Sequence, residues 1–160
     1  MSTPTPQPHV EPSADESAVR ALYHSLLRSW NMRDAVAFAA HFTEDGSIIG
    51  FDGSAVDGRA EIAREMGDIF SSHQTPTYVQ VVRSVRFLCD GVALLCGIAG
   101  MPSLATGLIN PTLNSMQTLI ATWRDNSWYV EHFQNTPAQF HGRPDEVARM
   151  TEELQRTLGG

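Results

Sequence analysis

Positive charge is scarce in this chain. Eleven Lys+Arg stand against eighteen Asp+Glu in 160 residues, a formal net charge of -7. A nucleic-acid surface needs clustered basic side chains, so no nucleic-acid partner is expected. Long apolar runs are also missing. None approaches the roughly 18 residues that a membrane helix requires, so no membrane partner is expected. The opening stretch, MSTPTPQPHVEP, has neither the basic start nor the apolar centre of a secretory signal, and a cytoplasmic location is the expectation. Cysteine is limited to Cys89 and Cys96, on either side of Asp90-Gly91, which reads as a tight hairpin turn. That turn sets Cys89 opposite Val92 and Cys96 opposite Val85, so the sulfurs do not meet and no disulfide is expected. No Cys/His spacing suits a metal, and no Gly-rich dinucleotide fingerprint or flavin signature is present. Neither a metal nor a cofactor is therefore expected.

What is present is ordinary globular material, 42% hydrophobic, enough for one domain with a core. Residues 1–12 carry four prolines and no apolar period, and read as a disordered tail. Ser13 to Glu16 fits a capping box, followed by Val19, Leu22, Tyr23, Leu26, Leu27 and Trp30 at helical spacing. Asp34 can cap a short second helix whose face is Phe38, His41, Phe42 and Asp45, with Gly46 as its stop. Ser47 to Phe51 reads as a strand. Asp57 can cap a third helix with Ile62, Met66, Ile69 and Phe70 on its inner side. The remainder alternates as strands: Thr77–Cys89 with Val92–Ala99, and Leu113–Arg124 with Trp128–Asn135 around Asp125-Asn126. The connection from Met101 to Pro111 is long enough to serve as a lid, or to brace a sheet edge. Pro144 opens a last amphipathic helix. The expected architecture is α+β: a cone-shaped, curved antiparallel sheet, three N-terminal helices on its concave face and a C-terminal helix. The domain spans 13–140, and 141–160 form a helical extension.

Three stretches, WNMRDAVAFAAHFTEDG, VDGRAEI and SWYVEHFQNTP, together resemble the nuclear-transport-factor-like superfamily, which includes ketosteroid-isomerase-like and SnoaL-like proteins. The QNTP ending is similar to the SgcJ/EcaC-type branch found among accessory proteins of enediyne antibiotic biosynthesis. The resemblance covers about residues 14–137. It implies a homodimer in which each cone holds an apolar small-molecule ligand. It implies no single reaction, because members of the superfamily do different chemistry or none.

Candidate pocket residues follow from strand alternation. Arg83 shares a face with Val79, Val81, Val85 and Phe87, where an unpaired charge is costly, so it holds an anionic or carbonyl group, is turned to solvent by a bulge, or pairs with a buried acid. A two-residue turn at Asp125-Asn126 pairs Trp123 with Trp128, Leu119 with His132 and Gln117 with Gln134 on one buried face. Thr118, Ile120, Thr122, Tyr129, Glu131 and Phe133 then form an outer face suited to dimer contact. Trp30, Met66 and Phe70 complete the expected pocket. His132, His41 and Arg83 are the candidates for proton transfer if the protein is a cofactor-free cyclase or isomerase. The structural reading is favoured for both Asp45, which makes the turn into the strand with Gly46, and His41, as a half-buried ring satisfied by a backbone carbonyl. A structural role, binding a biosynthetic enzyme by the outer sheet face, is the third reading.

Overall fold

In the computed structural model the described residues are 13–160, so the expectation of a disordered tail over 1–12 lies outside them. The elements are α1 (Ala14–Asn31), α2 (Ala35–Ala40), β1 (Phe42–Ile49), β2 (Ala55–Asp57), α3 (Arg59–Ser72), β3 (Val79–Cys89), β4 (Val92–Gly100), β5 (Ser115–Arg124), β6 (Ser127–Pro137) and α4 (Pro144–Gly159). A single helical turn, Pro111–Leu113, precedes β5. The strands form one curved, unclosed sheet in the order β2-β1-β6-β5-β4-β3. Every neighbouring pair is antiparallel except β1 with β6, which run parallel.

Local chemistry accounts for most boundaries. Ser13 Oγ accepts from the Glu16 N–H at 3.1 Å, and Asp34 Oδ1 accepts from the Ala37 N–H at 2.9 Å. Glu16 does not reach back to complete a capping box; it pairs with Arg20 instead. Three boundaries differ from expectation. The second helix ends at Ala40, and Asp45 and Gly46 lie inside β1. Gly46 is there because a Cβ would come within 3.0 Å of the Val130 carbonyl. Gly58, with φ +92°, is the N-cap of α3, while Asp57 ends β2.

The main core lies between α1–α3 and the concave side of the sheet. Val19, Tyr23, Leu26 and Leu27 of α1 pack with Phe38, Ile62 and Met66 against Leu95, Leu119, Ala121, Val130 and Phe133. A second, smaller core lies on the convex side, where Met150 and Leu154 of α4 cover Val79, Ile98, Ile109 and Ala138. Met101 and Ile109 are buried, and Gln155 of α4 accepts from the Ile109 N–H at 2.9 Å. The Met101–Pro111 connection therefore braces α4 and the sheet edge rather than covering the cone.

Register slips set the faces. In β3 the register slips between Val82 and Ser84, leaving Arg83 as the extra residue. A further slip, between Phe87 and Cys89, puts Cys96 opposite Ser84 and Val85 opposite Leu95, one position from the expected pairing, and both cysteines are free. In β6 the register slips at Glu131: Ala121 faces Val130, but Ile120 faces His132, Leu119 faces Phe133, and Gln117 faces Asn135. Phe133 is accordingly buried in the main core rather than on the outer face.

Leu154 is fully buried at the centre of the convex core. Leu154→Ala is expected to lower unfolding stability by about 2–5 kcal/mol, read from chemical denaturation. A change within about 0.5 kcal/mol, the range of ordinary surface substitutions, would mean that α4 is dispensable.

Candidate functional site

A cavity of about 330 Å³ opens between the helices and the concave side of the sheet. Leu27 and Trp30 of α1, Phe38 of α2, Met66 and Ile69 of α3, and Ile48 and Phe133 of the sheet give it an apolar wall. Phe51, Asp52 and Ser54 come from the β1–β2 turn, and Glu65 from α3. Tyr78 and Asn135 supply polar groups from the sheet side. The volume lies in the range of small-molecule sites, and so does the mixture of an apolar wall with a few polar groups.

The end of α1 fixes the wall. Trp30 donates its indole N–H to the Pro76 carbonyl at 3.0 Å and packs its ring against Phe70 and Tyr78, with centroids 5.2 and 5.3 Å away. Asn31 acts as a one-residue strand partner. Its Nδ2 donates to the Tyr78 carbonyl at 3.1 Å and its Oδ1 accepts from the Tyr78 N–H at 2.7 Å. Tyr78 is thus held from both sides before β3 begins.

Behind the wall runs a chain of side-chain hydrogen bonds. Tyr23 Oη donates to Gln117 Oε1 at 2.5 Å, Gln117 Nε2 donates to Asn135 Oδ1 at 2.7 Å, and Asn135 Nδ2 donates to Tyr78 Oη at 3.0 Å. Tyr23 and Gln117 are essentially closed to solvent. Burial pushes both phenols up from their ordinary range. The neighbouring Tyr78 adds to the effect at Tyr23, and the Asn135 hydrogen bond opposes it at Tyr78. Both stay neutral and protonated. The exposed Asp52 carboxyl is held low by hydrogen bonds from the Ser54 backbone and hydroxyl.

Of the residues expected to form the pocket, Trp30 and Met66 line this cavity. Phe70 lies behind Trp30, Leu119 is buried in the core, and Gln117 stands one hydrogen bond behind Asn135. The others do not border it. The Glu131 bulge turns His132 and Gln134 to the convex face, where His132 Nδ1 lies 2.7 Å from Ser47 Oγ and its Nε2 3.2 Å from Gln134 Oε1. Arg83 lies on the convex side with Val79 and Val81, where it makes two 2.6 Å contacts with the Glu153 carboxylate of α4, and the slip beside it sends Val85 to the opposite face. Trp123 is 46% exposed and sits beside Trp128 at the Asp90-Gly91 end of the sheet. His41 ends α2, and its Nε2 meets Ser29 Oγ at 3.2 Å, away from the cavity.

Tyr78 and Asn135 were not singled out from the sequence, although Asn135 lies within QNTP. The odd spacing of Val130 and Phe133, three apart in a strand, is the signal that reveals the bulge and moves Asn135 inward. No group of His, Cys, Asp and Glu among the described residues is placed to hold a metal, and no described helix is long and apolar enough to cross a membrane.

No family model matches this chain, and no curated protein does. Solved structures do. A domain of unknown function with a cystatin-like fold from Nostoc punctiforme is 26% identical, aligns 93% of this chain with 94% of its own, and has a TM-score of 0.76. A ketosteroid isomerase-like protein from Erwinia carotovora is 16% identical over 80% of this chain and 99% of that one, with a TM-score of 0.66. An NTF-2-like protein of unknown function from Shewanella oneidensis is 15% identical, covering 75% and 97%, with a TM-score of 0.61. The architecture is the nuclear-transport-factor-like fold.

His41 yields a pH prediction. Burial lowers its pKa below the usual value, against a smaller opposing hydrogen bond, so the unfolded chain binds the proton more readily. Stability is then complete above about pH 6.5 and declines as pH falls through the window below it. His24, lowered by burial and by Arg20 and Arg28, acts in the same sense. The thermal midpoint is expected to fall between about pH 7 and 5.5. His41→Gln, which keeps a side-chain donor toward Ser29, is expected to flatten that slope; an unchanged slope would remove His41 from the account.

Proposed function

We propose that this protein binds an apolar small molecule in the cone, as an accessory protein of natural-product assembly. The ligand class is a polyene-like intermediate of enediyne polyketide biosynthesis. The observation that carries the binding role is the cavity itself: it is apolar on most sides and left open by the protein's own side chains. The enediyne setting rests on the sequence resemblance, in particular the QNTP ending of β6. Holding such a molecule out of water shields an apolar conjugated chain from self-association, and burying it supplies the binding energy.

A cofactor-free cyclase or isomerase on the same pocket is the second reading, favoured by the likeness to a ketosteroid isomerase-like protein. The candidate proton-transfer groups His132, His41 and Arg83 do not border the cavity. It would have to use the carboxylates of Asp52 or Glu65 with Tyr78.

The convex face left uncovered by α4 supports pairing with a second copy. Leu94, Cys96, Ile120 and Tyr129 are half-buried there, and the Thr122 hydroxyl is buried without a partner among the described residues. A homodimer would cover these groups, and a location in the cytoplasm with the biosynthetic enzymes fits this role.

The purified protein incubated with the polyene product of an enediyne synthase is expected to bind it without changing its mass. Met66→Trp, which fills the cavity, is expected to weaken binding at least tenfold, whereas His132→Ala and Arg83→Ala leave it unchanged. A new product mass, or an isomer lost in Asp52→Asn or Glu65→Gln, would establish the enzyme reading instead. Binding that survives Met66→Trp would move the ligand out of the cone.

A further inference from the structure

We infer that the cavity selects neutral carbonyl compounds, and that Tyr23, which does not touch the cavity, sets this preference by fixing the direction of the hydrogen-bond chain that ends at Tyr78. The inference rests on the reading that the cone binds a small molecule, and it specifies the chemistry of that molecule.

A chain of Tyr, Gln, Asn and Tyr has two self-consistent directions. Flipping both amides reverses every donor and acceptor without moving a heavy atom far. The two directions differ only at the ends. In one, Tyr23 donates and the Tyr78 proton is left over. In the other, Tyr78 donates to Asn135 and the Tyr23 proton is left over. Tyr23 is 0% exposed, and Gln117 is its sole hydrogen-bond partner among the described residues. An unpaired O–H there carries the full penalty of a buried, unsatisfied donor. The chain is therefore driven from its buried end. Tyr23 donates, Gln117 and Asn135 pass the sense along, and Tyr78 accepts from Asn135. The proton left over is on Tyr78 Oη, beside Asn135 at the cavity wall.

A ligand meets a donor at that point, and it needs an acceptor to match. A carboxylate would be the stronger acceptor, but the charged side chains on this wall are Asp52 and Glu65, with no Lys, Arg or His among the lining residues. Arg64, the nearest guanidinium in sequence to Glu65, is spread over Glu61, Glu65 and Asp68 on the outside of α3. Anions are repelled at the opening and the donor favours oxygen acceptors, which leaves ketones, aldehydes, quinones and esters on an apolar body.

The test uses probes of one size: ethylnaphthalene, acetylnaphthalene, aminonaphthalene and naphthoate, with Kd read by calorimetry. Wild type is expected to bind acetylnaphthalene about tenfold more tightly than ethylnaphthalene, one hydrogen bond's worth, and naphthoate more weakly than either. Tyr78→Phe is expected to erase the acetyl advantage and leave ethylnaphthalene binding intact. In Tyr23→Phe the buried end no longer dictates direction, so the acetyl advantage shrinks and aminonaphthalene gains. Gln117→Leu cuts the chain at a second place and is expected to do the same, which keeps the test independent of how well either variant folds. Ethylnaphthalene affinity is the control for an intact cone. An acetyl advantage unchanged in Tyr23→Phe and Gln117→Leu overturns the inference, as does tight naphthoate binding. If no probe binds wild type, or if binding of all four survives Met66→Trp, the cavity reading itself fails.

Discussion

One extra residue in β6 decides what the concave side of this protein is. Glu131 is accommodated as a bulge and pinned there. Its carboxylate accepts from the Thr43 hydroxyl at 3.0 Å and lies 3.5 Å from Arg124. Because side chains alternate with a period of two, a single inserted residue exchanges the faces of everything beyond it. Upstream, Trp128 and Val130 point toward the helices. Downstream, Phe133 and Asn135 do, while His132 and Gln134 turn to the convex side. The amide chain and the place of Phe133 in the apolar wall both presuppose this slip. The slip at Arg83 plays the matching part in β3: Val82 before it and Val85 after it both face the main core, while Arg83 between them reaches α4.

The elements were legible in the sequence because they rest on local chemistry. Helical spacing, caps at Ser13 and Asp34, and turns at Asp90-Gly91 and Asp125-Asn126 are written within a few residues of one another. The α+β architecture with three helices before the main strands follows from their order. The site was much less legible. Facing in a long hairpin was extrapolated from its turn, and a bulge breaks that extrapolation without altering composition. Val82 with Val85, and Val130 with Phe133, are spaced three apart, which a regular strand cannot place on one side. Those odd intervals hold the missing information. Asp45 and Gly46 misled for a related reason. The pair has the composition of a helix stop, yet Gly46 serves a close approach of β1 to the Val130 carbonyl.

The two sides of the sheet divide the labour. The concave side carries the large core and the cavity. The convex side carries α4, whose Met150 and Leu154 seal the β3–β4 end, with the Met101–Pro111 connection tucked beneath it. Polar residues on the convex side answer to one another, as His132 does to Ser47 and Gln134. Those on the concave side form a single file toward the cavity. The carboxylates that border the cavity, Asp52 and Glu65, come from the β1–β2 turn and α3, while its sheet side presents one amide, Asn135, and one phenol, Tyr78, that is neutral near pH 7.

The parallel pairing of β1 with β6 has a consequence for how the chain reaches this state. Ser47 and His132, paired across it, are 85 positions apart. Hairpins such as β3–β4 and β5–β6 close short loops and can form early, whereas the β1–β6 seam must wait for both halves of the chain. Ile48 and Phe133, which flank that seam, are also cavity wall. The cavity is therefore built across the sheet seam with the highest loop-closure cost. The walls of the cavity thus come from both sides of that seam, and the two sides meet only when the chain's ends have been brought together.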